Sequence, residues 1–283
     1  MNLVLISTSS IGAGRSQALD RMLASVTSTA ARRPDLSIAL LLLLQECSAG
    51  LVSSQQFPAF VDVSSVPHQK SLSAARNILL SRARSRGLVR SRTVVGFPDD
   101  DCWYPQGTIG YIMDQFSQIP SLDLWFCRDS ANPVSAADIG VASKPAHVRD
   151  VIRLASSNTM FVSGRVIEFG VSFDEELGVG TPVGGAEDTE FALRAHILAT
   201  RTMHFDAAAV GHRDFNPQFR AKYYRGGLIA IARHAHEKEG VTTELMRKIA
   251  VGCWLLLRRD LSLAAFLGAL SDAFSAWRTG KQD

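Results

Sequence analysis

Short continuous apolar runs alternate along the chain with segments whose apolar residues recur at helical spacing. This is the pattern of strands buried on both faces with helices packed over them. Residues 3–6 and 36–44 are two such runs, and residues 16–31 between them carry Leu19, Met22, Leu23 and Val26 on one helical face, which predicts a β-α-β opening. A short strand is expected at 60–63, a helix at 73–86 with Ala74, Ile78, Leu79 and Ala83 toward the core, and a strand at 93–97. A helix at 107–116, strands at 122–127 and 157–163, a helix at 187–199 packing through Phe191, Leu193 and Ile197, and a strand at 202–210 follow. Residues 128–144 and 173–185 read as loop and turn. Beyond residue 222 the pattern becomes helical, with long stretches at 242–259 and 261–277. The fold class expected is α/β, a mostly parallel central sheet flanked by helices. Residues 1–225 would form the main domain, in halves 1–110 and 111–225, and 226–283 a helical extension.

A chain of 283 residues with 46% hydrophobic and 20% charged residues can bury a full core. The net charge of +3, with no zinc finger, RNA-binding aromatic signature or dense basic stripe, argues against nucleic acid as a partner. Cys47, Cys102, Cys127 and Cys253 are scattered and form no Cys-x-x-Cys pair, so reduced thiols in a cytoplasmic protein are expected. The apolar start lacks a basic leader and reads as a first strand. The apolar run at 40–44 falls far short of the ~20 residues a membrane span needs. Within 242–259, Ile249, Val251, Trp254, Leu255, Leu256 and Leu257 sit beside Arg247, Lys248, Arg258 and Arg259. That composition suits a helix lying on the inner face of the plasma membrane, or one packed on the core.

The chemistry concentrates where the run Val94-Val95-Gly96-Phe97-Pro98 stops at Asp99-Asp100-Asp101, followed by Cys102-Trp103-Tyr104-Pro105. Three adjacent carboxylates repel one another unless a cation offsets them, and hard oxygen ligands suit Mg²⁺ or Mn²⁺, ions that also hold phosphate. The alternative is an acidic turn capping the next helix. The loops after the first two strands end at the same sheet edge, where ligands of open α/β sheets gather.

Together with Ser71-Leu72-Ser73-Ala74-Ala75-Arg76-Asn77 before it and Gly184-Gly185-Ala186-Glu187-Asp188-Thr189-Glu190 after it, the acidic segment resembles glycosyltransferase family 2 over residues 1–235. The resemblance implies the GT-A fold and transfer of a sugar from a nucleotide donor to a hydroxyl, usually with inversion. It also implies Mn²⁺ or Mg²⁺ as cofactor, a glycan or lipid-linked acceptor, and a role in surface polysaccharide synthesis. A UDP-sugar is the commonest donor in this family, with dTDP- and GDP-sugars as alternatives.

On the same resemblance, Asp101 is the direct metal ligand, Asp99 contacts the ribose or the metal, and Asp100 supports the donor side. His212 matches a position where some relatives place a metal or diphosphate ligand, with a structural histidine as the alternative. Ser7, Thr8 and Ser9 would line the donor base and ribose, although the family's Thr-x-Asn-Arg wording is missing. Gln45 and Glu46 match the residues over the base by position only, and Arg15 is a candidate for the missing cation. Arg76 would reach the donor or brace the triplet from behind, with Lys70 a weaker candidate of the same kind. Asp188 is the expected base that takes the acceptor proton, and Glu187 would orient the acceptor. Acidic residues also favour first helical turns on their own account. Gly184 and Gly185 would let the acceptor approach, and Trp103 and Tyr104 would stack on a sugar or pack in the core. Arg220, Lys222 and Arg225 could close over the diphosphate or form a solvated face.

Two other classes remain open at this level. A nucleotidyltransferase would need a Gly-rich phosphate loop, which Ile11-Gly12-Ala13-Gly14-Arg15 only weakly echoes. A glycan-binding scaffold would need neither the triplet nor Glu187-Asp188.

Overall fold

A computed structural model describes residues 1–10, 14–47, 56–213 and 219–280. The first half follows the pattern closely. Strand β1 (Asn2–Ser9) leads through α1 (Ser16–Arg32) to β2 (Ser37–Gln45), then β3 (Val61–Val66), α2 (Leu72–Ser85) and β4 (Thr93–Gly96). Next come α3 (Thr108–Gln118), β5 (Leu122–Ser130), β6 (Lys144–Pro145), α4 (Val148–Leu154), β7 (Met160–Ser163) and α5 (Gly164–Glu168). Then α6 (Glu187–Leu198), β8 (Arg201–Gly211), α7 (Phe219–Lys222), α8 (Tyr224–Arg233), α9 (Val241–Leu257) and α10 (Leu263–Thr279) complete the described chain.

The strands form one sheet in the order β3-β2-β1-β4-β7-β5-β8-β6. The run β3-β2-β1-β4 is parallel, β7 is antiparallel to both of its neighbours, and β5 and β8 pair in parallel. Because side chains alternate across a strand, each apolar run feeds two cores. Leu3, Leu5, Leu40, Leu42 and Leu44 meet α1 and α3, whereas Val4, Ile6, Leu41 and Leu43 meet α2 and α6. Both faces are therefore dry, which is why the strands read as continuous runs.

Helix α2 presents Ala75, Arg76, Leu79, Leu80 and Ala83 inward, leaving Ile78 exposed. The expected core face was rotated by about one residue, and the rotation is what carries Arg76 inside. The helical extension packs through a third core in which Tyr224, Leu228 and Ala232 of α8 meet Leu255 and Phe266, Ala269 and Ala273. Helix α8 also docks on the main domain, where Ile231 meets Leu193 of α6. The boundary expected after residue 225 thus falls inside α8. No helix among the described residues is long and apolar enough to cross a membrane.

Candidate active site

Strand β1 has β2 on one side and β4 on the other, so the chain departs in opposite directions from this pair and leaves a crevice beyond their carboxyl ends. The acidic triplet occupies that crevice. Its three carboxylates have three different environments.

Asp100 is buried, accepting a hydrogen bond of 2.5 Å from Ser9 Oγ and pairing with Arg15 Nε at 3.1 Å. Burial raises its pKa, against the opposing effects of Ser9 and Arg15. It ties the tips of β1 and β4 together from an enclosed position, behind the other two carboxylates. Arg15 also reaches Asp101 at 3.3 Å.

Asp99 stands on Arg76, which is only 1% exposed and lies over the Phe173 ring. One guanidinium nitrogen donates to Asp99 Oδ1 at 2.8 Å and to Ser157 Oγ at 2.7 Å, and the other donates to Asp188 Oδ1 at 3.1 Å. Ser157 Oγ donates in turn to Asp188 Oδ2 at 3.1 Å. Asn158 completes the clamp: its Oδ1 accepts the Asp99 N–H at 2.7 Å and its Nδ2 donates to Asp99 Oδ2 at 3.1 Å. Arg76 is therefore a brace beneath two carboxylates instead of a donor contact. Burial opposes its charge, but Asp188 and Asp99 raise its pKa.

Asp101 faces β8. Its Oδ1 lies 3.3 Å from His212 Nε2, while Oδ2 pairs with Arg213 at 3.2 Å. His212 Nδ1 lies 3.3 Å from Asp129 Oδ2. Burial alone would depress the His212 pKa, but Asp101 and Asp129 raise it to about 10. Burial likewise opposes ionisation of Asp101, yet His212 and the nearby arginines hold it down at about 2. Asp101 Oδ1 and His212 Nε2 are nevertheless buried without a hydrogen bond. One ligand atom each from Asp99, Asp101 and His212 lies within 4.8 Å of the others. Two carboxylate oxygens and an imidazole nitrogen fit a divalent cation, which would displace the proton that His212 Nε2 now turns toward Asp101. The histidine is placed by paired hydrogen bonds between Trp103 and Gly211, at 3.0 and 2.7 Å, which fasten the loop after the triplet to the end of β8.

Across the crevice, α6 begins with Glu187 and Asp188 after Ala186, which holds a left-handed conformation at φ 76°. That costs energy for a residue with a Cβ. Tight packing holds it there: a Cβ on Gly226 would lie 2.6 Å from the Gly185 carbonyl oxygen, and one on Gly185 would strike the Tyr223 ring at 2.6 Å. Gly185 thus serves the packing of α8 on this turn, not acceptor entry, whereas Gly184 is open on its Cβ side. Glu187 is buried, and desolvation together with Asp188 raises its pKa to about 7.

Other expected positions are corrected by burial. Ser7, Thr8 and Ser9 lie within β1, not in a loop beyond it, because β2 pairing continues to Ser9. Ser7 is buried in the sheet and closed to a donor, and Ser9 is taken by Asp100. Thr8 accepts from Gln45 Nε2 at 2.8 Å, and Gln45 Oε1 accepts the Lys70 N–H at 2.7 Å, so Gln45 orders the sheet edge. Glu46 is exposed in a left-handed turn at φ 55°. Tyr104 is a core residue packed on Phe161, and only Trp103 keeps partial exposure, with the Arg21 guanidinium 3.7 Å from its ring centre. Arg225 binds Asp272 at 2.7 Å and does not reach the crevice. Residues 11–13 of the Gly-x-Gly echo lie outside the described residues.

Ser157, Asn158, Asp129 and Arg213 were not foreseen. Asp129 falls in a segment read as loop, and only the extension of β5 to Ser130 brings it to the same sheet edge. A separate cavity of about 710 Å³, lined by Arg90, Arg92, Asp123 and Arg165, lies at the opposite end of the strands.

No family model and no curated relative matches the sequence. Among solved structures, S. aureus TarS 1-349 aligns with a TM-score of 0.67 at 16% identity, covering 98% of this chain and 81% of that one. The same fragment in complex with UDP gives 0.67 at 17% identity over the same shares. In complex with UDP-GlcNAc it gives 0.58 at 13% identity, covering 100% and 91%. The chain shares the GT-A fold of these proteins, with a helical C-terminal region.

Proposed function

We propose that the chain is a family 2 glycosyltransferase that moves a sugar, with inversion, from a nucleoside diphosphate donor to a hydroxyl of a glycan or lipid-linked acceptor. The observation that carries this reading is the buried Arg76, which joins Asp99 at the end of β4 to Asp188 at the start of α6. The reaction needs positive charge beside a departing diphosphate and a carboxylate beside an incoming alcohol, and one guanidinium fixes both ends of that arrangement. The structural neighbours that bind UDP and UDP-GlcNAc support a uridine donor.

Asp99, Asp101 and His212 would hold Mn²⁺ or Mg²⁺. Such an ion supplies positive charge where the leaving diphosphate accumulates negative charge. Asp188 is partly exposed, and Arg76 and Ser157 fix its orientation without enclosing it. It takes the proton of the acceptor hydroxyl as that oxygen bonds to the anomeric carbon and the carbon–oxygen bond to the diphosphate breaks, its electron pair leaving with the diphosphate. Arg15 and Arg213, already on the triplet, are positioned to take up donor phosphate charge.

The test is a panel of UDP-, dTDP- and GDP-sugars screened by thermal shift and then by nucleotide release. Stabilisation by one nucleotide series, with release of the matching diphosphate, is expected. A chain that binds none of them would be a scaffold. Turnover that continues unchanged in Asp101→Ala and without divalent metal would overturn the metal role.

A further inference from the structure

We propose that α9 and α10 form a docking surface for an anionic lipid bilayer. On α9, Met246, Ala250, Cys253, Trp254 and Leu257 recur along one exposed face, and on α10 Leu263, Leu267 and Phe274 do the same. The large residues among them are 43% (Trp254) to 84% (Leu257) exposed. Solitary exposed leucines are ordinary, but two parallel stripes on adjacent helices form a patch. Both helices bury a different face in the core shared with α8, through Leu255 on α9 and Phe266, Ala269 and Ala273 on α10, which leaves the stripes uncovered. Leu257 and Leu263 bracket the connecting turn, so that one stripe continues into the next.

The charges around the patch select the occupant. Arg247, Arg258, Arg259 and Arg278 are exposed on these two helices and their turn, with Arg258 stacked 4.6 Å from the Trp254 ring centre and Arg278 6.0 Å from that of Phe274. The acidic side chains exposed from α9 through α10 among the described residues are already held, Asp260 by Arg258 at 3.0 Å and Asp272 by Arg225 at 2.7 Å. A second copy docked by two-fold symmetry would bring these arginines against their own counterparts. A bilayer with acidic headgroups takes the arginines at the headgroup level and the Trp254, Leu257, Leu267 and Phe274 side chains beneath it. Neither helix spans a bilayer, so the contact is interfacial.

The experiment is sedimentation of the full chain with phosphatidylcholine vesicles, with and without phosphatidylglycerol, in the absence of any donor. The outcome is therefore independent of the glycosyltransferase reading. Binding is expected only with phosphatidylglycerol and should weaken in high salt. The pair Leu257→Glu and Leu267→Glu should abolish it. The pair Arg258→Gln and Arg259→Gln should weaken it about 30-fold, from ~1 kcal/mol per arginine near an anionic surface. All four positions are exposed, so unchanged thermal unfolding reports an intact fold. Wild-type protein that ignores phosphatidylglycerol vesicles, or a leucine pair that binds them normally, overturns the proposal. So does a dimer, seen by light scattering, that the leucine pair dissociates.

Discussion

Arg76→Met is the substitution that strains the site most. The change keeps an unbranched apolar side chain of similar reach but deletes the guanidinium that lies over Phe173, leaving Asp99 and Asp188 facing each other across its place with Glu187 nearby. Removing one partner of a buried pair typically costs 3–5 kcal/mol, because the remaining charge is left without compensation. Here the two carboxylates are 26% and 28% exposed and water can reach them, so the lower end applies, about 3 kcal/mol. For a chain of 283 residues that corresponds to a fall of roughly 5 °C in the unfolding midpoint. The specific signature lies in the double variant. Asp188→Asn removes the charge that Arg76 no longer holds, so the losses of the two single variants should exceed that of the pair by at least ~1 kcal/mol. Chemical denaturation of the four proteins measures this coupling directly. Single losses that simply add, or an Arg76→Met protein as stable as wild type, would refute the bridge.

Further outcomes follow from the same geometry. Burial and the Asp188 charge raise the Glu187 pKa to about 7 from the 4.5 of a free glutamate, so its stabilising share is complete below about pH 4.5 and declines as pH rises toward 7. Glu187→Gln should therefore gain on wild type by up to about 3 kcal/mol between pH 5 and pH 8, and a pH-independent difference would contradict the assignment. Asp101→Asn and His212→Ala should each weaken Mn²⁺ binding at least about tenfold by calorimetry, with equal affinity in all three proteins as the opposing result. Gly211→Ala places a Cβ 2.1 Å from the Trp103 ring and should cost about 1–3 kcal/mol while shifting tryptophan fluorescence. A silent Gly211→Ala would mean that the Trp103 bridge does not fix the loop.

The sheet was legible because strands buried on both faces leave uninterrupted apolar runs, as in residues 36–44. The antiparallel direction of β7 was not, since four buried residues carry no sign of which way they run. Asp99, Asp101 and His212 lie together because strand ends that share a sheet edge also share a crevice. Arg76 was visible as a residue but not as a bridge: its second partner lies 112 positions along the chain. Ser157 and Asn158 escaped notice because uncharged hydrogen-bonding residues have no pattern of their own, and they were read as part of a strand. Tyr104 misled for the opposite reason, since an aromatic residue after an acidic turn suits a core as well as a sugar platform.

The central claim is that Asp188 and the acidic triplet serve one reaction. Its most direct measurement compares wild type and Asp188→Asn for affinity toward the donor selected by the panel and for rate of diphosphate release. Affinity should stay within about threefold while the rate falls at least ~10²-fold, as loss of a general base requires. An Asp188→Asn protein that releases diphosphate at the wild-type rate would contradict the account.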